Sequence, residues 1–305
     1  MTQVLIGTRG SRLALSQAEE VQKKLQHLFP TGDFVLRRIQ TRGDKDREGL
    51  PRHAETVGFF TKELEESLLS GEIDVAVHSL KDLPTKNPEA LEVAAITRRE
   101  NPQDALITGD GRSLSELPVQ GRIGTGSERR KSQLLHWNKN LKVVGMRGNL
   151  DTRLKKLAQG DCDALVLAMA GLLRFGMEMK KVWMIPYEVM LPAPGQGALA
   201  VQVRKKDSKL VSMISKLDDA ESRACVTAER AFLSRLGGGC QLPLGALGRV
   251  EGENLLLEGV LVKEDGSTEI RERLVGSKKD PVLLGEKLGE RFFEMGAEDI
   301  LNGKG

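Results

Sequence analysis

The chain has 305 residues, 39% hydrophobic and 29% charged, which is typical of a globular protein with two or three domains. Its 46 basic and 43 acidic residues leave a net charge of +3, and only 4% are aromatic, which disfavours a base-stacking nucleic-acid binder. Three cysteines without CxxC spacing exclude a disulfide framework, and four isolated histidines lack zinc-site spacing. We therefore expect a cytoplasmic protein without a metal, a signal peptide or a membrane span.

The first hundred residues alternate between predicted strands and predicted helices. Short apolar runs, typical of buried strands, are "VLIGT" (4–8), "DFVLRRI" (33–39) and "IDVAVHS" (73–79). Helical spacing of apolar residues follows in "GSRLALSQAEEVQKKLQHLF" (10–29) and in "GFFTKELEESLLSG" (58–71). This alternation predicts α/β layers in which the strands pair mainly in parallel.

The pattern then repeats in the second hundred residues. "IGTRGSRLALSQ" from Ile6 corresponds to "IGTGSERRKSQ" from Ile123, and "LSGEIDVAVHSL" from Leu69 corresponds to "AQGDCDALVLAM" from Ala158. Any two strand–helix units share some likeness, but two matches in the same order favour a duplication. The sequence therefore predicts two similar α/β domains.

A third predicted domain follows a strand, "ALAVQVR" (198–204), that we expect to return to the first domain. It begins with the helical run 219–236, continues through strands at 244–250, 254–264 and 267–276, and ends in a helix at 281–296. Strands followed by a helix predict a small α+β domain. The predicted boundaries are 1–99 with 197–217 for domain 1, 100–196 for domain 2, and 218–305 for domain 3.

In the segment "LGGGCQLPLGA" (236–246), three residues without side chains directly precede one cysteine. Three consecutive glycines make the backbone permissive and weaken both helix and strand. A structural cysteine prefers a packed apolar site, so Cys240 in this loop is better placed to carry a bulky group. Cys162 and Cys225 lie in a predicted strand and a predicted helix, and we interpret both as packing residues.

Arginines follow the ends of the predicted strands in both α/β domains. Gly-Thr turns open helices at 7–11 and 124–127, and helix N-termini bind anions. The carboxyl ends of parallel strands gather at one sheet edge, where arginine recognises carboxylates in a bidentate manner. For each arginine alone, a solvated basic face is the alternative, but the group favours a ligand with several carboxylates. Its members are Arg9, Arg129, Arg130, Arg147, Arg153 and Arg174.

The motif "HSLKDLP" (78–84) adds a carboxylate to this cationic edge. It places Lys81 and Asp82 directly after the third predicted strand. An ionised carboxylate suits a site where positive charge develops or where a proton is handed over. A helix N-cap or a surface ion pair is the alternative interpretation of Asp82.

Together these stretches resemble the porphobilinogen deaminase family. The resemblance rests on "GTRGSRLAL", "TRGD", "DVAVHSLKDLPT", "GTGSERR", "RGNLDTRLKKL", "LPAPGQGAL" and "TAERAFLSRLGGGCQLPLG", which span nearly the whole chain. It implies two periplasmic-binding-like domains plus an α+β domain. It also implies a transferase that joins four porphobilinogen molecules, with loss of ammonia, into the linear tetrapyrrole hydroxymethylbilane in porphyrin biosynthesis.

The resemblance assigns roles to individual residues. It implies a dipyrromethane primer held by a thioether on Cys240, with Asp82 as the catalytic aspartate that protonates the departing amine. Each pyrrole carries an acetate and a propionate, and the implied binding residues are Arg9, Ser11, Phe60, Lys81, Thr125, Ser127, Arg129, Arg130, Arg147, Arg153 and Arg174. The chain departs from the family at 56–58, where Thr-Val-Gly replaces Gly-Lys-Gly, and the lysine contact stays unassigned.

Two other classes of protein compete with this interpretation. A non-catalytic anion-binding protein of the same fold has no use for Cys240, and a secreted one carries a signal peptide. A nucleic-acid binder is opposed by the near-neutral charge and the scarce aromatic residues. We expect a monomer that binds porphobilinogen and the growing oligopyrrole, and neither nucleic acid nor membrane.

Overall fold

The computed structural model describes residues 3–40, 61–239 and 242–302. Its strands, in chain order, are β1 (Val4–Arg9), β2 (Phe34–Ile39), β3 (Val75–Ser79), β4 (Leu91–Ile96), β5 (Asp104–Thr108), β6 (Arg122–Thr125), β7 (Lys142–Gly145), β8 (Ala164–Ala168), β9 (Val182–Met184), β10 (Leu199–Arg204), β11 (Leu244–Glu251), β12 (Asn254–Val262) and β13 (Glu269–Ser277). Its α-helices are α1 (Arg12–Leu28), α2 (Lys62–Ser70), α3 (Glu128–Trp137), α4 (Leu150–Ala158), α5 (Met169–Phe175), α6 (Ser208–Ile214), α7 (Ala220–Arg235), α8 (Pro281–Glu294) and α9 (Ala297–Leu301).

The chain divides into two compact units, which we describe separately. Unit 1 consists of Met1–Glu100 and Gly197–Arg223, and unit 2 consists of Asn101–Gln196 and Ala224–Gly305. Unit 1 contains one five-stranded sheet, in the order β2-β1-β3-β10-β4. Unit 2 contains a second five-stranded sheet, β7-β6-β8-β5-β9, and a three-stranded antiparallel sheet, β11-β12-β13.

The two five-stranded sheets place corresponding strands side by side in the same directions, which confirms the predicted likeness of the two α/β domains. Their topologies differ at one strand, because β10 is the last strand of its sheet in the chain and β5 is the first of its sheet. In each, the second strand of the order (β1 or β6) has a parallel neighbour on both sides. The central strand (β3 or β8) then pairs in an antiparallel manner with the fourth strand (β10 or β5). The strands that match in sequence, β1 with β6 and β3 with β8, occupy equivalent places. The predicted fold class, two similar α/β domains followed by a small α+β domain, is confirmed.

The expectation of mainly parallel pairing is wrong, because two of the four pairings in each five-stranded sheet are antiparallel. In unit 1 the antiparallel strand is β10, which returns from far along the chain and pairs with β3 and β4, as predicted for "ALAVQVR". Strand–helix alternation indicates direction only for strands joined by a helical crossover. It carries no information about a strand that arrives by a long connection.

The helices bury the faces that their apolar spacing predicts. In unit 1, Ala18, Val21 and Leu25 of α1 are fully buried in the core with the sheet residues Ile6 and Val75. In the small sheet domain of unit 2, α7 and α8 pack together through an edge-to-face contact between Phe232 and Phe292, whose ring centroids are 4.7 Å apart. This packing fixes the helix that leads into the glycine loop.

Candidate functional site

The carboxyl ends of β1 and β3 bring four predicted site residues to one edge of the unit 1 sheet. The two strands pair in parallel, with Ile6 opposite Val75, so both end on the same side. Arg9 is the last residue of β1, Ser11 caps α1 directly after it, and Lys81 and Asp82 form a 3₁₀ turn directly after β3. Asp82 is exposed, and the other three are half-buried. The structure thus places a solvent-facing carboxylate at a cationic edge.

Hydrogen bonds within unit 1 hold this edge in place. The Ser79 hydroxyl and the Gln17 amide bond to each other, which ties α1 to the end of β3. The Ser11 hydroxyl oxygen accepts from the Ala14 amide as the N-cap of α1. The Leu80 amide donates to the Ala198 carbonyl at 3.0 Å, which anchors the turn that carries Asp82.

Three polar side chains, on β3, β10 and α2, are joined by hydrogen bonds next to this edge. Gln202 donates through Nε2 to Glu65 at 3.2 Å, so its Oε1 is the atom that accepts from His78 Nε2 at 3.1 Å. His78 therefore carries its proton on Nε2. Burial lowers the pKa of His78 to about 4, the hydrogen bond to Gln202 opposes this shift, and the charge of Arg9 adds to it. Burial also raises the pKa of Glu65.

His78 makes the stability of the protein pH-dependent. Its folded-state pKa lies below the unfolded value, so the unfolded chain binds more protons below about pH 6.5. The stabilisation is complete above that pH and is lost as the pH falls towards 4, an effect on the order of 3 kcal/mol. We expect denaturant unfolding of His78→Asn to depend less steeply on pH between 7 and 4 than that of the wild type. Identical slopes would contradict this assignment.

In unit 2, the ends of β6, β7 and β8 carry the corresponding set. Thr125 ends β6 and accepts, through its hydroxyl, from the Ser127 amide at 3.2 Å. Ser127 is the N-cap residue of α3, and its side chain makes no capping hydrogen bond. Arg147 follows β7 and is exposed, and Arg174 lies in α5, the helix that begins directly after β8. Thr125, Ser127 and Arg147 lie at one edge because these strands run in parallel, whereas Arg174 lies in the last turn of its helix.

Arg153 reaches the same turn from α4. Its Nε donates to the Gly148 carbonyl at 2.8 Å. Its Nη2 lies 3.9 Å from the point where a Cβ on Gly126 would be, and that Cβ would also lie 2.7 Å from the Met146 carbonyl oxygen. The β6–α3 turn is thus too crowded for a side chain at Gly126. The same distances show that Arg153 lies beside the N-terminus of α3.

Arg129 and Arg130 are buried and share one carboxylate, that of Asp104. Arg129 donates through Nη1 to Asp104 Oδ2 and to the Leu191 carbonyl, each at 2.6 Å. Arg130 donates through Nε and Nη2 to Asp104 Oδ1, at 3.0 and 2.8 Å, and through Nη1 to the Val166 carbonyl at 2.9 Å. Burial alone would raise the pKa of Asp104, but the two guanidinium groups hold it well below its usual range.

Arg129 keeps donors for a ligand. A guanidinium group has five N–H donors, and both bonds of Arg129 to the described residues use Nη1. Its Nε and Nη2 donate to no described residue. The sequence predicts the arginine pair but not Asp104; the signal available was a charged residue at the start of the buried run "DALIT".

The glycines before Cys240 have a conformational role. Gly237, Gly238 and Gly239 all have positive φ, at 105°, 64° and 122°, and within the described residues only glycines adopt positive φ. Each is a backbone conformation that an L side chain rarely adopts. Cys240 itself, and Phe60, lie outside the described residues. Cys162 and Cys225 are buried, as expected of packing residues.

Each five-stranded sheet thus presents an arginine-bearing edge at the ends of its parallel strands, and one edge also presents a carboxylate. This arrangement is typical of α/β proteins that bind carboxylate ligands. Within the described residues, no group of three or more His, Cys, Asp or Glu side chains could hold a metal ion. No described helix has the length and apolar character needed to cross a membrane.

The chain belongs to the porphobilinogen deaminase family. The model of the family's dipyrromethane cofactor binding domain matches residues 4–212, and that of its C-terminal domain matches residues 223–294. Porphobilinogen deaminase of Pelotomaculum thermopropionicum is 45% identical over 299 residues, covering 98% of this chain and 96% of its own. That of Desulforudis audaxviator is 47% identical over 299 residues, covering 98% and 97%.

Comparison with solved structures gives more distant similarities. The methionine-binding protein MetQ has a TM-score of 0.45 and 14% identity, covering 70% of this chain and 89% of its own. A nutrient-binding protein from Burkholderia cenocepacia bound to methionine has a TM-score of 0.44 and 15% identity, covering 70% and 90%.

Proposed function

We propose that this protein is a hydroxymethylbilane synthase, which joins four porphobilinogen molecules into a linear tetrapyrrole on a dipyrromethane primer. Membership of the porphobilinogen deaminase family supports the activity. The observation that carries the catalytic assignment is the exposed Asp82 carboxylate beside Arg9 and Lys81 at the end of β3. A pure anion binder has no use for a carboxylate at that place.

The donor set of unit 2 fits a dipyrromethane. Two linked pyrroles bear two acetates and two propionates, which need several charge-assisted donors. Arg129 offers Nε and Nη2, and Ser127 offers a hydroxyl that does not cap its helix. Arg147, Arg153 and Arg174 follow the neighbouring strands. We assign the thioether to Cys240 and ring stacking to Phe60 from the family resemblance.

The chemistry that the primer supplies when bound is a nucleophilic pyrrole carbon. Arg9 and Lys81 bind the substrate carboxylates and so orient its aminomethyl group towards Asp82. Asp82 donates a proton to the departing nitrogen, which takes the electron pair of the breaking carbon–nitrogen bond and leaves as ammonia. The ionised carboxylate then stabilises the cationic methylene-pyrrolenine. The pyrrole carbon that becomes bonded to this methylene loses a proton, which balances the proton that Asp82 gave.

The activity is tested by incubating the purified protein with porphobilinogen. We expect hydroxymethylbilane to form with one ammonia released for each porphobilinogen consumed. Binding of porphobilinogen without ammonia release would instead support the non-catalytic anion-binding alternative. If the protein neither binds porphobilinogen nor releases ammonia, both the proposed function and the anion-binding alternative are contradicted.

Arg129→Leu is expected to abolish primer loading in protein that still folds. Asp104 keeps Arg130 and Gln196 as partners in this variant, so its charge stays compensated. Arg129→Lys should restore loading only in part, because an ammonium group cannot bind a carboxylate in a bidentate manner. Intact-mass measurement of the purified proteins reads out the loading.

The matched control for this prediction is Arg122→Leu. Arg122 forms an exposed ion pair with Asp163 at the opposite end of β6. Exposed ion pairs contribute little to the free energy of unfolding. Its loading should equal that of the wild type. Normal loading of Arg129→Leu as well would remove Arg129 from the binding site.

We also propose that the protein is a cytoplasmic monomer with domain boundaries as given from the sequence. The three sparse cysteines and the near-neutral charge support a reducing compartment and no nucleic-acid partner. Size-exclusion chromatography with light scattering tests the monomer, and a mass of twice 33.4 kDa would contradict it.

A further inference from the structure

Asp104 reaches the arginine-bearing edge because of the topology of its sheet. It is the first residue of β5, which runs antiparallel to β8 with Asp104 opposite Ala168. The amino end of β5 therefore lies beside the carboxyl end of β8, where the strand-end arginines gather. Because β5 runs opposite to its neighbours in the sheet, its first residue places a buried carboxylate at the cationic edge.

The contacts of Asp104 hold it in one orientation. Its Oδ1 accepts from Arg130 and, at 3.0 Å, from Nε2 of Gln196, and its Oδ2 accepts from Arg129. Gln196 is fully buried and also donates to the Pro102 carbonyl at 2.7 Å. The motif "LPAPGQG" therefore supplies two parts of this arrangement, the Gln196 amide and the Leu191 carbonyl that accepts from Arg129.

We propose that Asp104 is a positioning residue that selects which edge of Arg129 is presented to the carboxylates of the primer and substrate. The proposal rests on the proposed function. Asp104 and the Leu191 carbonyl occupy both protons of Nη1, which leaves the Nε–Nη2 edge, the edge used for bidentate carboxylate binding. An arginine already fixed in one conformation loses less side-chain entropy when it binds its ligand.

Charge supports the same conclusion. The two guanidinium groups lie on one helix turn and would repel each other if no anion lay between them. The neighbouring arginine charges hold the pKa of Asp104 far below the working range, so the carboxylate stays ionised. It therefore takes no part in proton transfer and acts through Arg129 and Arg130.

The test compares Asp104→Asn with a matched control, Asp74→Asn. Asp74 also pairs with an arginine, Arg204, at 2.8 Å, but it lies in unit 1 just before β3 begins, away from the strand ends that bear the site. Both variants should lose stability to denaturant. Only Asp104→Asn should lower the fraction of chains that carry the primer mass and raise KM for porphobilinogen about tenfold, with kcat per loaded chain little changed.

A second readout does not depend on turnover. In the Asp82→Asn background, titration with porphobilinogen should show binding weakened about tenfold by Asp104→Asn and unchanged by Asp74→Asn. If Asp104→Asn does not fold, Gln196→Leu replaces it in the test. This variant keeps the ion pairs of Asp104 with both arginines and removes only the hydrogen bond from Gln196. We expect a rise in KM smaller than that of Asp104→Asn.

Three results overturn the positioning role. They are wild-type loading and KM in a folded Asp104→Asn, wild-type KM in Gln196→Leu, or an equal rise in KM in Asp74→Asn, which would indicate a general effect of lost stability. The proposed function fails separately, by absence of turnover and of primer in the wild-type protein.

Discussion

Asp82→Asn is expected to lower turnover of porphobilinogen by at least about 100-fold without disturbing the fold. The side chain is exposed in a short turn, and that turn is anchored by the backbone bond from Leu80 to Ala198, so the amide substitution leaves the support of the turn intact. It removes both the proton donor and the negative charge that stabilises the cation. Steady-state kinetics with a check of folding by circular dichroism measures the effect.

Asp33→Asn is the matched control for this prediction. Asp33 is also an exposed aspartate of unit 1, but it directly precedes β2 and so lies at the opposite end of the sheet. It should retain wild-type turnover. If Asp82→Asn keeps activity within a few-fold of the wild type, the general-acid role is wrong and Asp82 is a surface or turn residue.

Cys240→Ser is expected to be folded, inactive and without bound primer. The serine oxygen cannot form the thioether, and the substitution retains the three glycines whose positive φ only glycine adopts among the described residues. Cys162→Ala and Cys225→Ala are the controls, because both thiols are buried among apolar side chains. Both should retain the primer and activity, at some cost in stability. An active Cys240→Ser would contradict the assignment.

The strands and helices named from the sequence could be predicted because the apolar periodicity of these segments agrees with their burial. The strands β4, β5 and β9 were not predicted. The repeated Gly-Thr turns predicted equivalent places for β1 and β6 correctly. Strand direction could not be predicted at β5 and β10, since each follows a strand of the other unit and no helical crossover joins it to its sheet neighbours. The domain boundaries stay predictions.

The residue types of the candidate site could be predicted, but their orientation could not. That Arg9, Lys81 and Asp82 share an edge follows from parallel strands ending together. The burial of Arg129 and Arg130 against Asp104 depends on an antiparallel pairing between residues far apart in sequence, and periodicity does not contain that information. The hydrogen bond from Gln196 to Asp104 could not be predicted for the same reason.

The central claim is that the chain carries its own primer on one cysteine, and mass spectrometry of the purified wild-type protein tests it most directly. The intact mass should exceed that of the sequence by two linked pyrrole units, and peptide mapping should place the whole excess on Cys240. An unmodified Cys240 in active protein, or the adduct on Cys162 or Cys225, would contradict the account.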